Sequence, residues 1–161
     1  MIDDIAGLRR ILTNNRSVAV VGLSPSWNRP SYFAAKYLLE HGYEVIPVNP
    51  ACQEILGRKC YASLREIPVK VDIVDCFRRA AEIPAIADDA IGIGARVLWM
   101  QLGVVNEPAA RKAEAAGLDV VMDRCVKIEH ARFFGGLSGF GVNTGIVSAK
   151  RPFCPPARKA P

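Results

Sequence analysis

Ser17-Val18-Ala19-Val20-Val21-Gly22 is a short, nearly unbroken apolar run stopped by a glycine. A strand with one face in water would alternate polar and apolar residues. This one does not, so it reads as a strand buried on both faces. Blocks of the same kind recur at Tyr43 to Val48, Val71 to Phe77, Arg96 to Met100 and Leu118 to Met122. Between them the apolar period changes from continuous to helical. Asp3 to Asn14 carries Ile5, Leu8, Ile11 and Leu12 at helical spacing, with Asp3 and Asp4 at the positive end of the dipole. Ser31 opens a second helix through Tyr32, Ala35, Leu38 and Leu39, closed by His41-Gly42. Ala81 to Ile93 reads as a third, with Pro84 tolerated in its first turn, and Glu107 to Ala116 as a fourth, capped by Gly117.

Buried strands alternating with helices make parallel βαβ units with right-handed crossovers. The expected fold is α/β, a Rossmann-like three-layer αβα sandwich on a five-stranded parallel sheet of order 3-2-1-4-5. Residues 1–150 are expected to form this one domain. Phe133 to Gly141 is rich in glycine and aromatics and reads as cover for a domain edge or a homodimer face. Pro152 to Pro161 reads as a disordered tail.

Composition narrows the class. Of 161 residues, half are hydrophobic and 23% charged, the balance of a globular protein with one core. No apolar stretch approaches the ~20 residues that span a bilayer, and the acidic start Met1-Ile2-Asp3-Asp4 is unlike a signal peptide. Five cysteines without a C-x-x-C pair point to reduced thiols and a cytoplasmic location. His41 and His130 share no ligand spacing with a cysteine, which argues against a metal. The net charge of +5 is scattered and partly in the tail, so it lacks the basic stripe that nucleic acid requires.

In an open parallel sheet, ligands bind beyond the carboxyl ends of the strands, at the topological switch point. The expected order puts that point between the first and fourth strands. After the first strand, Gly22 permits a tight turn and close backbone approach, and Ser24, Ser26, Asn28, Arg29 and Ser31 can donate to phosphate. The dinucleotide fingerprint G-x-G-x-x-G is absent, and Val48-Asn49-Pro50 replaces the carboxylate that grips a dinucleotide ribose. A ribose bearing an extra phosphate fits that replacement, NADP included. Arg78 and Arg79 suit such a phosphate, and Phe77 a purine face; the plainer reading makes Phe77 core and the arginines a solvated helix start. An unpaired Arg-Arg at a helix start is locally unfavourable, which favours the functional reading. Cys125 follows the fifth strand beside Arg124, whose charge can lower a thiol pKa; packing is the commoner role of a cysteine there. His130 reads as a surface or capping residue, and Trp99 and Met100 as core.

Several of these segments together resemble the CoA-binding domain family. They are Val20 to Ser24, Arg29-Pro30-Ser31, Gly42 to Pro50, Ile55-Leu56-Gly57, Trp99 to Gly103 and Val120 to Cys125. That family is similar to the N-terminal domain of the succinyl-CoA synthetase alpha subunit. The resemblance covers about residues 5–150. It implies coenzyme A or an acyl-CoA as ligand: phosphates on Gly22, Leu23, Ser24, Arg29, Pro30 and Ser31, the adenosine part between Asn49-Pro50 and Phe77-Arg78-Arg79, and pantetheine along Gln101-Leu102-Gly103 toward Cys125. It does not imply ligase activity, because His130 does not map to the phosphorylated histidine of the synthetase. A binding protein without catalytic residues is thus expected, with an acyl-CoA-handling enzyme or an NADP-linked oxidoreductase as alternatives. For a third class, a DNA-binding redox regulator, the sequence offers no recognition helix.

Overall fold

The computed structural model describes residues 1–135. The stretch after Gly135, the expected boundary at 150 and the proline-rich tail lie outside the described residues. The chain begins with α1 (Ile5–Asn14), started by the Asp4 carboxylate accepting the Gly7 N–H at 2.8 Å. There follow β1 (Ser17–Val21), α2 (Pro30–Glu40) and β2 (Glu44–Val48). A small antiparallel hairpin, β3 (Glu54–Ile55) and β4 (Arg58–Lys59), precedes β5 (Ile73–Cys76). The rest alternates: α3 (Ile83–Gly92), β6 (Val97–Met100), α4 (Glu107–Ala115), β7 (Asp119–Val121) and α5 (Val126–Phe134).

The fold class is the expected one: five parallel strands between two helical layers. Val18, Val20, Ile73, Val97 and Trp99 pack under α1, α2 and α5. Ala19, Val74, Leu98, Met100 and Val120 pack under α3 and α4. Trp99 and Met100 are core, as read, and the Trp99 indole N–H donates to the Arg124 carbonyl at 2.7 Å. None of the described helices is long and apolar enough to cross a membrane.

Strand order corrects the expectation in one place. The sheet runs β2-β1-β5-β6-β7, so the third of the five strands lies against the first rather than outside the second. The outer edge of β2 is already taken. Tyr61 donates to the Pro47 carbonyl at 3.0 Å and accepts from the Asn49 N–H at 2.9 Å. A further strand there would have to displace those bonds, so the chain crosses to the other side of β1. The switch point therefore falls between β1 and β5, which brings Gly22 beside Phe77 and Arg78.

Candidate functional site

Beyond the carboxyl ends of β1, β5 and β6 lies an open cavity of about 820 Å³, within the range of small-molecule sites. Gly22, Ser24, Arg29, Pro30 and Ser31 line it from the loop after β1 and the head of α2. Asn49, Phe77, Arg78, Gln101, Leu102 and Cys125 line it from the ends of the other strands. The remaining sequence candidates stand outside this lining. Leu23 is fully buried in the core, and Pro50 lines a smaller neighbouring cleft with Arg78 and Glu82. Arg79 is 91% exposed. Gly103 donates its N–H to the Asp123 carboxylate at 2.7 Å, tying the loops after β6 and β7 together.

The glycine turn is built for close approach. Gly22 has φ +84°, and its N–H donates to the Val48 carbonyl at 2.9 Å. A Cβ there would stand 2.6 Å from both the Phe77 carbonyl oxygen and Arg78 Cδ. The Ser31 hydroxyl accepts the Ser24 N–H at 3.1 Å, and the Ser24 hydroxyl accepts the Ser26 N–H at 3.2 Å. Each hydroxyl oxygen is thus fixed while its proton stays free to donate to a ligand. α2 begins with Pro30 and has no side-chain cap, so its positive end faces the cavity uncompensated. Asn49 is spent on the scaffold: its amide donates to the Leu23 carbonyl at 2.9 Å and its side-chain oxygen accepts the Ala51 N–H at 3.0 Å.

Charge in the lining is of one sign. Among the described residues, Arg29, Arg78 and Lys127 contribute cations to the lining and no carboxylate stands in it. Such a cleft concentrates anions. Arg78 and Arg79 are not unpaired, contrary to expectation. Arg78 donates to Glu82 at 2.7 Å, and Arg79 reaches the same carboxylate at 3.4 Å. Those guanidinium donors hold the Glu82 carboxyl below its ordinary value.

At Cys125 the alternative in which Arg124 lowers the thiol pKa is not met. Burial pushes its thiol up, and the backbone N–H groups of Ile128 and Lys127 offset this only in part. The Arg124 guanidinium is directed elsewhere, to Glu129 at 3.2 Å and the Asp3 carbonyl at 3.0 Å. His130 is buried rather than at the surface. Its ring lies against Tyr43, His41 and Phe134, with the Tyr37 hydroxyl 3.1 Å from Nδ1. Burial, with help from His41, lowers its pKa to about 4.

Sequence reasoning missed Phe33, Ala34, Val104, Lys127 and Ile128 in the lining. Phe33 and Ile128 stay 44% and 40% exposed at the rim, and the Lys127 ammonium lies 5.9 Å from the Phe33 ring centroid. It also missed Asp75, fully buried near the carboxyl end of β5, which accepts from Gln101 Nε2 at 2.6 Å.

Residues 16–131 match the CoA binding domain family. The uncharacterised protein YneT of Bacillus subtilis is 42% identical over 126 residues, covering 78% of this chain and 93% of its own. A hypothetical protein from Pyrococcus horikoshii superposes with a TM-score of 0.79 at 44% identity, over 81% of this chain and 94% of that one. An ADP-forming acetate–CoA ligase of Archaeoglobus fulgidus is 34% identical over 141 residues, 86% of this chain but 20% of the ligase. The chain therefore corresponds to about a fifth of that enzyme, and its kinship to the succinyl-CoA synthetase subunit named by resemblance is a loose one, by way of acetate–CoA ligases of this kind. With the whole strand-and-loop frame of the cavity inside the matched segment, the chain belongs to the CoA-binding domain family.

Proposed function

We propose that this protein binds coenzyme A or an acyl-CoA in the cavity beyond β1, β5 and β6. One observation carries the reading: a cleft lined by Arg29, Arg78 and Lys127, without a carboxylate, opens directly onto a glycine turn and an uncapped helix start. Coenzyme A carries a pyrophosphate and a ribose phosphate, and three cations with the Ser24 and Ser31 hydroxyl protons answer that charge. In this reading the pyrophosphate rests on Gly22, Ser24, Arg29 and Ser31. The adenosine part lies between Asn49-Pro50 and Phe77-Arg78, and pantetheine runs past Gln101 and Leu102 to Cys125. Arg79 and Gly103 support from outside: Arg79 shares Glu82 with Arg78, and Gly103 fixes the loop after β6. The missing ribose carboxylate at Asn49 speaks against a plain nicotinamide dinucleotide.

Arg78 is assigned to the ribose phosphate because it lines both the main cavity and the cleft behind Asn49 and Pro50. Arg78→Ala is expected to weaken coenzyme A about tenfold or more, and dephospho-CoA much less, in parallel titrations. Equal losses for the two ligands would take Arg78 away from that phosphate.

A further inference from the structure

Asp75 is a carboxyl group where the fold would ordinarily place an aliphatic side chain. It shares its register with Val20 of β1 and Trp99 of β6 and is fully shielded from solvent. Its Oδ1 accepts from Gln101 Nε2 at 2.6 Å, while its buried Oδ2 has no partner among the described residues. A buried carboxylate oxygen left unpaired is costly, and groups kept in that state invite a functional explanation. Gln101 links it to the cavity. Gln101 lines the cavity, and with Nε2 turned to Asp75 its Oε1 stands at the other end of the amide, able to meet a ligand.

An amide can present either end, and the protonation state of its partner biases which. An ionised Asp75 is purely an acceptor, so it holds Nε2 inward. A protonated Asp75 gains an O–H donor beside its remaining acceptor oxygen, and the amide can answer that donor by turning Oε1 inward. Resting on the CoA reading, we infer that Asp75 and Gln101 form a proton-operated selector for the acyl end of the ligand. With Asp75 ionised, Gln101 shows the cavity an oxygen and accepts from a donor such as the free thiol. With Asp75 protonated, the amide turns over, shows its nitrogen and donates to a carbonyl, the group that sets a thioester apart. The switch makes one O–H bond on Asp75 with a proton taken from solvent and breaks it on reversal.

The surroundings leave Asp75 free to titrate in the working range. Burial raises its pKa to about 7, against a smaller lowering by the Gln101 hydrogen bond. The nearest titratable groups are thiols: Cys76, next along β5, and Cys125 at the head of α5, both pushed up and so uncharged. From α2 and its cap come Arg29 at the cavity and Lys36 paired with Glu40. From α5 come Lys127 at the cavity and Glu129, held by Arg124 and Arg132.

The test compares coenzyme A with acetyl-CoA on the full chain by calorimetry from about pH 6 to about pH 8, in wild type and in Asp75→Asn. The affinity ratio of acetyl-CoA to coenzyme A cancels the phosphates common to both. It is expected to fall by up to about tenfold per pH unit in the wild type and to stay constant in Asp75→Asn. A constant ratio in the wild type, or the same fall in the variant, would overturn the selector. Binding of neither ligand would overturn the CoA reading instead. The selector is then judged on the ligand-free protein by the Gln101 side-chain amide resonances. These are expected to titrate near pH 7 in the wild type, and their failure to do so would overturn it. Should Asp75→Asn not fold, Gln101→Leu serves as the second variant, with the same expected loss of pH dependence.

Discussion

Gly22→Ala is expected to weaken coenzyme A at least tenfold and to lower stability by about 1–3 kcal/mol. Two effects combine. At φ +84° any side chain is strained, and the added Cβ would lie 2.6 Å from the Phe77 carbonyl oxygen. The arginine stem on the other side can swing away; the carbonyl cannot move so cheaply. Phe77 is held to β1 through its N–H bond to the Val21 carbonyl at 2.9 Å, so relief must spread β1 from β5 at the switch point itself. That movement also displaces Arg78 from the cavity. Gly103→Ala is the control: its φ is +80°, but nothing lies within 4 Å of the new methyl group. It should cost about 1 kcal/mol and leave affinity within about twofold. Thermal unfolding and coenzyme A titration of both variants separate the contributions. Unchanged affinity in Gly22→Ala would contradict a ligand seated on this turn.

Asp75→Asn is expected to abolish a large pH-dependent term in stability. In the unfolded chain the carboxyl titrates near 3.8, and in the folded protein near 7. Between those values the folded protein keeps a proton that the unfolded chain has lost. The contribution is therefore fully present below about pH 4, declines as pH rises, and is gone above about pH 7. At about 1.4 kcal/mol per pKa unit the whole span is worth about 4 kcal/mol. His130 works in the opposite direction, since its pKa is depressed to about 4 and its contribution fades as pH falls below the ordinary imidazole value. The wild-type profile alone mixes the two, so the difference between variant and wild type is the quantity to follow. Urea unfolding at about pH 5 and about pH 8 should show the variant gaining on the wild type at the higher pH. A difference independent of pH would mean that Asp75 is ionised throughout.

The sequence made the frame of this molecule legible because its strands are buried on both faces. Val18 to Val21 and Val97 to Met100 could be nothing else without exposing apolar residues on two sides. Strand order was not legible, because orders 3-2-1-4-5 and 2-1-3-4-5 satisfy the same right-handed crossovers. Tyr61 decides between them by occupying the edge of β2, a tertiary contact without a local signature. The β3–β4 hairpin stayed hidden because its turn places Leu56 at φ 55°, where glycine or asparagine would have announced it. In the site, residues directly after a strand were found and those one turn into a helix were not. Phe33, Lys127 and Ile128 reach the cavity from the heads of α2 and α5, and only the packing of those helices brings them there. Asp75 did leave a signal: a carboxylate in the middle of Val71 to Phe77 has no solvent face to occupy.

The two arginines after β5 show how a local argument can mislead. Adjacent like charges at a helix start read as a phosphate site waiting for its ligand. Glu82 pairs with both, so the local electrostatic argument loses its force. What survives is placement: Arg78 lies across Gly22 between the two clefts, whereas Arg79 points to solvent.

The most direct test of the account is calorimetric titration of the ligand-stripped protein with coenzyme A, alongside dephospho-CoA and NADP. The cationic, carboxylate-free cleft on a glycine turn predicts saturable one-to-one binding of coenzyme A, tighter than that of either control. Absence of saturation with coenzyme A, or tighter binding of NADP, would contradict it.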